Sequence, residues 1–220
     1  MLPDRRDLTD RLIIPSVQAA RGEAPAPVRD RKQRFEYTRA FREQHAGGMA
    51  AALAQLWIDP EQLDGALLFD GLRGANEVRH AAALLPLALF VVLEAPDVAR
   101  VSRLMGRGDP FDQIGGEGRE NATLDHVQHF ADVGAPEAAA YFSHLEEQAL
   151  LELVRTGAVT ADTLRDSLTI VIEERRNYDP AGASAALLED APFRTIIIDT
   201  QRHAPESVAD RMIRFVQKYM

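Results

Sequence analysis

"LLFDGLRGANEV", residues 67–78, is the stretch on which the reading of this chain turns. The apolar run 66–69 is cut off by Asp70-Gly71, then comes Leu72-Arg73, then a helix-compatible segment. A short, continuous apolar run bounded by turn residues fits a buried strand better than an amphipathic helix. A strand that stops in a carboxylate, a glycine and an arginine puts charge and backbone freedom at one sheet edge. Open parallel sheets hold their ligands at such edges.

Outward from this point two further runs read as strands, "ALFVVLEA" at 88–95 and "FRTIIIDT" at 193–200, both rich in β-branched and aromatic residues. Between and around them the pattern is helical. Residues 7–22 form a weak helix with Pro15 as a kink or boundary. Pro27 opens a helix at about 28–45 that Gly47-Gly48 stops. Residues 74–85 and 96–107 follow as helices. Further segments read as helical over 121–132, 136–156 and 161–177, the last with Leu164, Leu168 and Ile172 along one stripe. Pro205 opens a final helix. Short apolar strands separated by helices predict an α/β fold, a mostly parallel sheet flanked by helices in three layers, with a helical insertion. The corresponding division is an α/β core over 1–114 and 179–220 and a lid-like insertion over 115–178. The glycine-rich loop 106–118 would be its hinge.

The chain has 220 residues, 46% hydrophobic and 27% charged, with a net charge of −9. That composition suits a globular protein. The acidity argues against non-specific nucleic-acid binding, which needs basic patches. The local exception is a basic belt from Arg29 to Arg42, either a solvated helix face or the wall of an anion site. No cysteine is present, which excludes disulfides, thiolate metal sites and cysteine nucleophiles. The charged first ten residues lack an apolar signal core, and the longest apolar run, 81–93, contains Pro86 and is too short to span a bilayer. A cytoplasmic location without membrane contact is the expectation.

The order of these motifs resembles the P-loop nucleotide kinases, in particular the adenylate kinase, nucleoside monophosphate kinase and dephospho-coenzyme A kinase branch. The matching pieces are Asp70-Gly71-Leu72-Arg73, Leu93-Glu94-Ala95-Pro96, Arg103-Leu104-Met105-Gly106-Arg107, the upstream 27–48 segment and the final 195–216 strand and helix. The resemblance implies ATP and Mg2+ as cofactors and transfer of the ATP γ-phosphoryl group to a nucleoside monophosphate or similar small acceptor. It also implies a nucleotide or coenzyme as partner, with a homodimer as a possible assembly. By the same resemblance Asp70, Arg103 and Arg107 would be catalytic, and Arg29, Arg42 and Arg73 would bind substrate. Guanidinium forks suit phosphate. The family's phosphate cradle, G-x-x-x-x-G-K-[ST], does not occur; the two lysines are Lys32 and Lys218, and neither follows a glycine. The family would place it on about thirty residues of strand, loop and helix ahead of this sequence. The enzyme expectation is therefore a truncated or degenerate kinase. The alternatives are a non-catalytic kinase-like module that binds an anionic ligand or a protein partner, and a hydrolase that reuses Asp70.

Each site residue also has a structural reading. Asp70 can cap the following turn, Arg73 can pair with Glu77 four residues on, and Arg103 and Arg107 can be solvated helix arginines. Arg175-Arg176 read as a lid pair or as surface ion pairs, and His126 and His129 after Asp125 lack a visible third metal ligand.

Overall fold

The computed structural model describes residues 2–59, 61, 65–107 and 126–219. Of the described residues 63% are helical and 5% lie in strands, and the chain divides into two units. One comprises 1–90 with 178–196, the other 91–177 with 197–220.

The first unit opens with α1, Arg5–Leu8, which runs through a π turn, Thr9–Ile13, into α2, Ile14–Ala20. Pro15 lies in the first turn of α2. Proline has no N–H to donate to the preceding turn, and that turn is widened to a π turn closed by the Ile14 N–H on the Thr9 carbonyl. Gly22, at φ +73°, ends α2. The buried Gln18 side chain then pins the connector, donating to the Ala26 carbonyl at 2.9 Å and accepting from its N–H at 3.1 Å. Asp30 caps α3, Arg31–Gln44, by accepting from Gln33 N–H. The Gly47-Gly48 turn leads into α4, Met49–Leu53. Ile14, Val17, Tyr37, Phe41, Met49 and Leu53 form the heart of the core between these helices. α5, Gly74–Leu84, packs on α9, Pro180–Asp190. Small residues at the contact, among them Ala81, Ala82 and Ala186, are fully or almost fully buried.

The second unit holds α6, Asp97–Arg107, two 3-10 turns at Phe130–Val133 and Pro136–Ala140, α7, His144–Arg155, α8, Ala161–Tyr178, and α10, Pro205–Gln217. Ser143 and Glu146 form a capping box at the start of α7. Phe130, Leu150, Leu151, Val154, Leu164 and Leu168 are at the centre of its core.

The sheet has two strands among the described residues, β1, Phe90–Glu94, and β2, Thr195–Asp199. The Thr200 N–H donates to the Glu94 carbonyl at 2.8 Å, so the carboxyl ends of the two strands meet and they run parallel. Both begin in the first unit and end in the second.

These facts correct the expected fold. A three-layer α/β protein needs a central parallel sheet buried on both faces. Here Val91, Val92, Ile196 and Ile197 are only half-buried and Leu93 is 54% exposed. The run 66–69, expected as a third buried strand, belongs to no sheet: residues 66–73 pass without turn or bend into α5, with Leu67 and Leu68 42% and 51% exposed. The fold is mostly helical, and the kinase-like architecture is withdrawn. The expected hinge 106–118 lies outside the described residues from 108 onward, as do residues 121–125 of the expected helix over 121–132.

Candidate functional site

Glu77 organises the Asp70-Gly71-Leu72-Arg73 stretch. It lies on the buried face of α5 beside Val78, and its side chain is 7% exposed. A carboxylate this deep needs partners. Arg5, from α1, donates to both of its oxygens at 2.7 and 2.8 Å, and the Arg73 backbone N–H donates at 2.9 Å. The same guanidinium donates to the Gly71 carbonyl. Asp70-Gly71-Leu72-Arg73 is thus a strap that ties the entry of α5 to α1.

The turn before α4 closes on the same carboxylate. A Cβ at Gly48 would lie 3.0 Å from Arg42 Cγ and 3.3 Å from Glu77 Oε1, and one at Gly47 would lie 2.5 Å from His80 Cβ. Only glycines admit this approach. The Arg73 backbone therefore lies against Glu77, while Arg42 is exposed and touches the Gly48 turn through its stem. Asp70 is exposed and forms no ion pair among the described residues. Arg29 is exposed in the connector before α3. In the other unit Arg103 donates to the hydroxyl and carbonyl of Thr200, both at 2.8 Å, which fastens the turn after β2. The Arg107 side chain lies outside the described residues. Asp125 does too, and no metal-holding group of three or more His, Cys, Asp or Glu occurs among the described residues.

Arg175 donates to Asp97, which also takes Arg100; Arg176 donates to the Tyr141 hydroxyl at 3.0 Å. The second unit also contains a carboxylate that orders a turn: Glu147, 9% exposed, accepts from Phe130 N–H at 2.9 Å.

The surface features that sequence reasoning missed are apolar. Trp57, the one tryptophan of the chain, is fully exposed, and Ile58 beside it is 41% exposed. Their neighbour Leu56 packs on the same core as Phe69, the neighbour of Leu67 and Leu68. Two exposed apolar stretches therefore leave one core. Among the described residues, the Leu68 carbonyl, which accepts from Leu2 N–H at 2.9 Å, is the single main-chain group of residues 66–70 that is hydrogen-bonded. The sequence reads residues 49–58 as one short apolar helix ended by Asp59-Pro60; α4 stops at Leu53 instead, which leaves Trp57 and Ile58 outside it. A second apolar patch surrounds Arg194, whose guanidinium donates to the carbonyls of Ala82, Leu85 and Ala88. Leu87 and Phe193 stand 93% and 85% exposed next to that cap.

Comparison with protein families, curated proteins and solved structures gives no match. Together with the fold this overturns the kinase resemblance and the activity, cofactors and partners it implied. Nothing supports phosphoryl transfer, a truncated kinase or kinase-like module, ATP or Mg2+ as cofactors, or a nucleotide, coenzyme or homodimer as partner. No helix among the described residues is long and apolar enough to cross a membrane.

Proposed function

We propose that this protein works by binding a protein partner, and that the partner docks on the exposed apolar surface of the first unit around Trp57, Ile58, Leu67 and Leu68. The observation that carries the reading is the complete exposure of Trp57, together with two exposed leucines on a run outside any sheet whose Phe69 packs on the same core as Leu56. Single exposed aliphatic residues are ordinary on protein surfaces; tryptophan is among the residue types enriched at the energetic centres of interfaces. In this reading Asp70 and Arg73 are the polar margin of the docking surface, and the Arg5–Glu77 strap holds it in place. The cytoplasm is the compartment assigned, which a cysteine-free chain suits.

The test replaces Leu67 with a photo-crosslinking amino acid in cells that carry the chain, with Leu145, 81% exposed in the other unit, as the control position. The reading predicts a protein joined at 67 and not at 145. After purification that protein should bind the intact chain and lose about tenfold or more in affinity on Leu68→Glu. The same captured proteins at both positions, or binding indifferent to Leu68→Glu, would overturn it.

A further inference from the structure

We infer that residues 66–70 bind their partner by strand addition, accepting an apolar β-strand flanked by basic residues. The inference rests on the docking reading above and names the chemistry of the occupant.

The run has the composition of a strand and lacks the ladder that a strand requires. Alanine, two leucines and phenylalanine follow one another without a turn or bend. In a strand-like run, alternate residues direct their N–H and C=O groups to opposite edges. Leu68 uses one edge, where its carbonyl accepts from Leu2 N–H. Leu67 and Phe69 therefore present their main-chain groups at the other edge, and among the described residues nothing bonds them. An unpaired edge with exposed apolar side chains is a template for another strand, and main-chain bonds supply the affinity in such complexes.

The flanks choose the charge of the occupant. Asp70 closes the run and has no ion pair among the described residues; Asp59 and Glu61 follow Trp57 and Ile58, and with the exposed Arg73 after the run these flanks carry three acidic side chains and one basic. The whole chain carries −9. Like charges brought together at an interface exclude a partner, and opposite charges steer it in. A strand with lysine or arginine on either side of its apolar centre fits these flanks. An acidic strand does not.

Three nine-residue peptides test this on the intact chain. The first has a Val-Thr-Val-Thr-Val centre between Lys-Lys pairs. The second has the same centre between Glu-Glu pairs, and the third is the lysine peptide with alternate amides N-methylated. Trp57 emission reports docking, since it is the one tryptophan, and amide hydrogen exchange reports pairing at 66–70. The expected result is saturable binding of the lysine peptide, at least tenfold weaker binding of the glutamate peptide, and loss of binding on N-methylation. Exchange of the 67 and 69 amides should slow by tenfold or more. Leu68→Glu should weaken binding with an unchanged far-ultraviolet spectrum, and Leu67→Thr, which keeps strand propensity, should weaken it less. A Trp57 shift that survives N-methylation, or comes without amide protection, overturns strand addition and leaves the docking reading standing. Equal affinity for the two charged peptides overturns the basic flank. No binding of any peptide at millimolar concentration overturns strand addition, while crosslinking at position 67 still judges the docking surface by itself.

Discussion

Arg5 holds Glu77 with two nitrogens, at 2.7 and 2.8 Å, across 72 positions of sequence. The pair joins the first helix of the chain to α5, and through the Arg73 N–H and the Gly71 carbonyl it sets the course of the strap between them. Removing one partner of a buried ion pair leaves the other uncompensated. Arg5→Ala should cost about 3 kcal/mol in urea unfolding, the low end for such losses because a quarter of the Arg5 side chain meets water. Glu77→Gln keeps an acceptor for the Arg73 N–H and should cost less, about 1–2 kcal/mol. Equal costs for the two variants would refute the assignment of Glu77 as the buried partner.

The two glycines before α4 make a second prediction. Gly47→Ala combines a φ of +90° with a Cβ 2.5 Å from His80 Cβ, so it should destabilise by more than about 2 kcal/mol. Gly22→Ala has a similar φ, +73°, but open space around it, and should cost only about 1 kcal/mol. Thermal unfolding of both variants decides whether close packing, beyond backbone conformation, governs the Gly47 turn.

The sequence made much of the helical skeleton legible. α5 begins at Gly74 and ends at Leu84, close to the expected 74–85, and α3, α8, α10, β1 and β2 lie where periodicity and Pro or Gly punctuation put them. The fold class failed on residues 66–69. A run of four apolar residues reads the same whether a sheet buries it or it lies open on a surface, because burial depends on a ladder partner distant in sequence. α9 was missed because Pro180-Ala-Gly-Ala carries almost no amphipathic contrast and packs through small side chains on α5. From the sequence Glu77 reads only as a partner for Arg73, four residues before it. Its position on the face of Val78 and Ala81 was readable; the identity of Arg5 as its partner was not, since nothing local links them.

Arg194 should stabilise the end of α5. Its guanidinium caps three carbonyls there and lies 5.5 Å from the centre of the Phe90 ring. Arg194→Met keeps much of the apolar stem and removes the donors. A loss of about 2 kcal/mol is expected, with faster amide exchange confined to the last turn of α5 and residues 85–88. Unchanged exchange there would show that the cap is dispensable.

One turn in the second unit should respond to acid. N–H bonds from Gln128 and then His129 hold the Asp132 carboxyl below the usual aspartate range. A group with a depressed folded value stabilises above its unfolded value, about 3.9, and that contribution is lost as pH falls through the folded value. The 128–133 turn should therefore loosen below about pH 4. Asp132→Asn should make its amide exchange less dependent on pH over that range. Loosening that persists unchanged in the variant would assign the acid response to another group.

The central claim is that residues 66–70 form an open run on a helical protein, bonded through the main chain, among the described residues, at the Leu68 carbonyl alone, and are not a strand of a buried sheet. Amide hydrogen exchange on the free chain, read residue by residue, tests it most directly. The account predicts that the amides of Leu67, Phe69 and Asp70 exchange nearly as fast as in an unstructured peptide, while those of Ala81 and Ala82 in α5 exchange orders of magnitude more slowly. Protection of the Leu67 and Phe69 amides comparable to α5 in the free chain would mean that a ladder already occupies this edge, and the account would be contradicted.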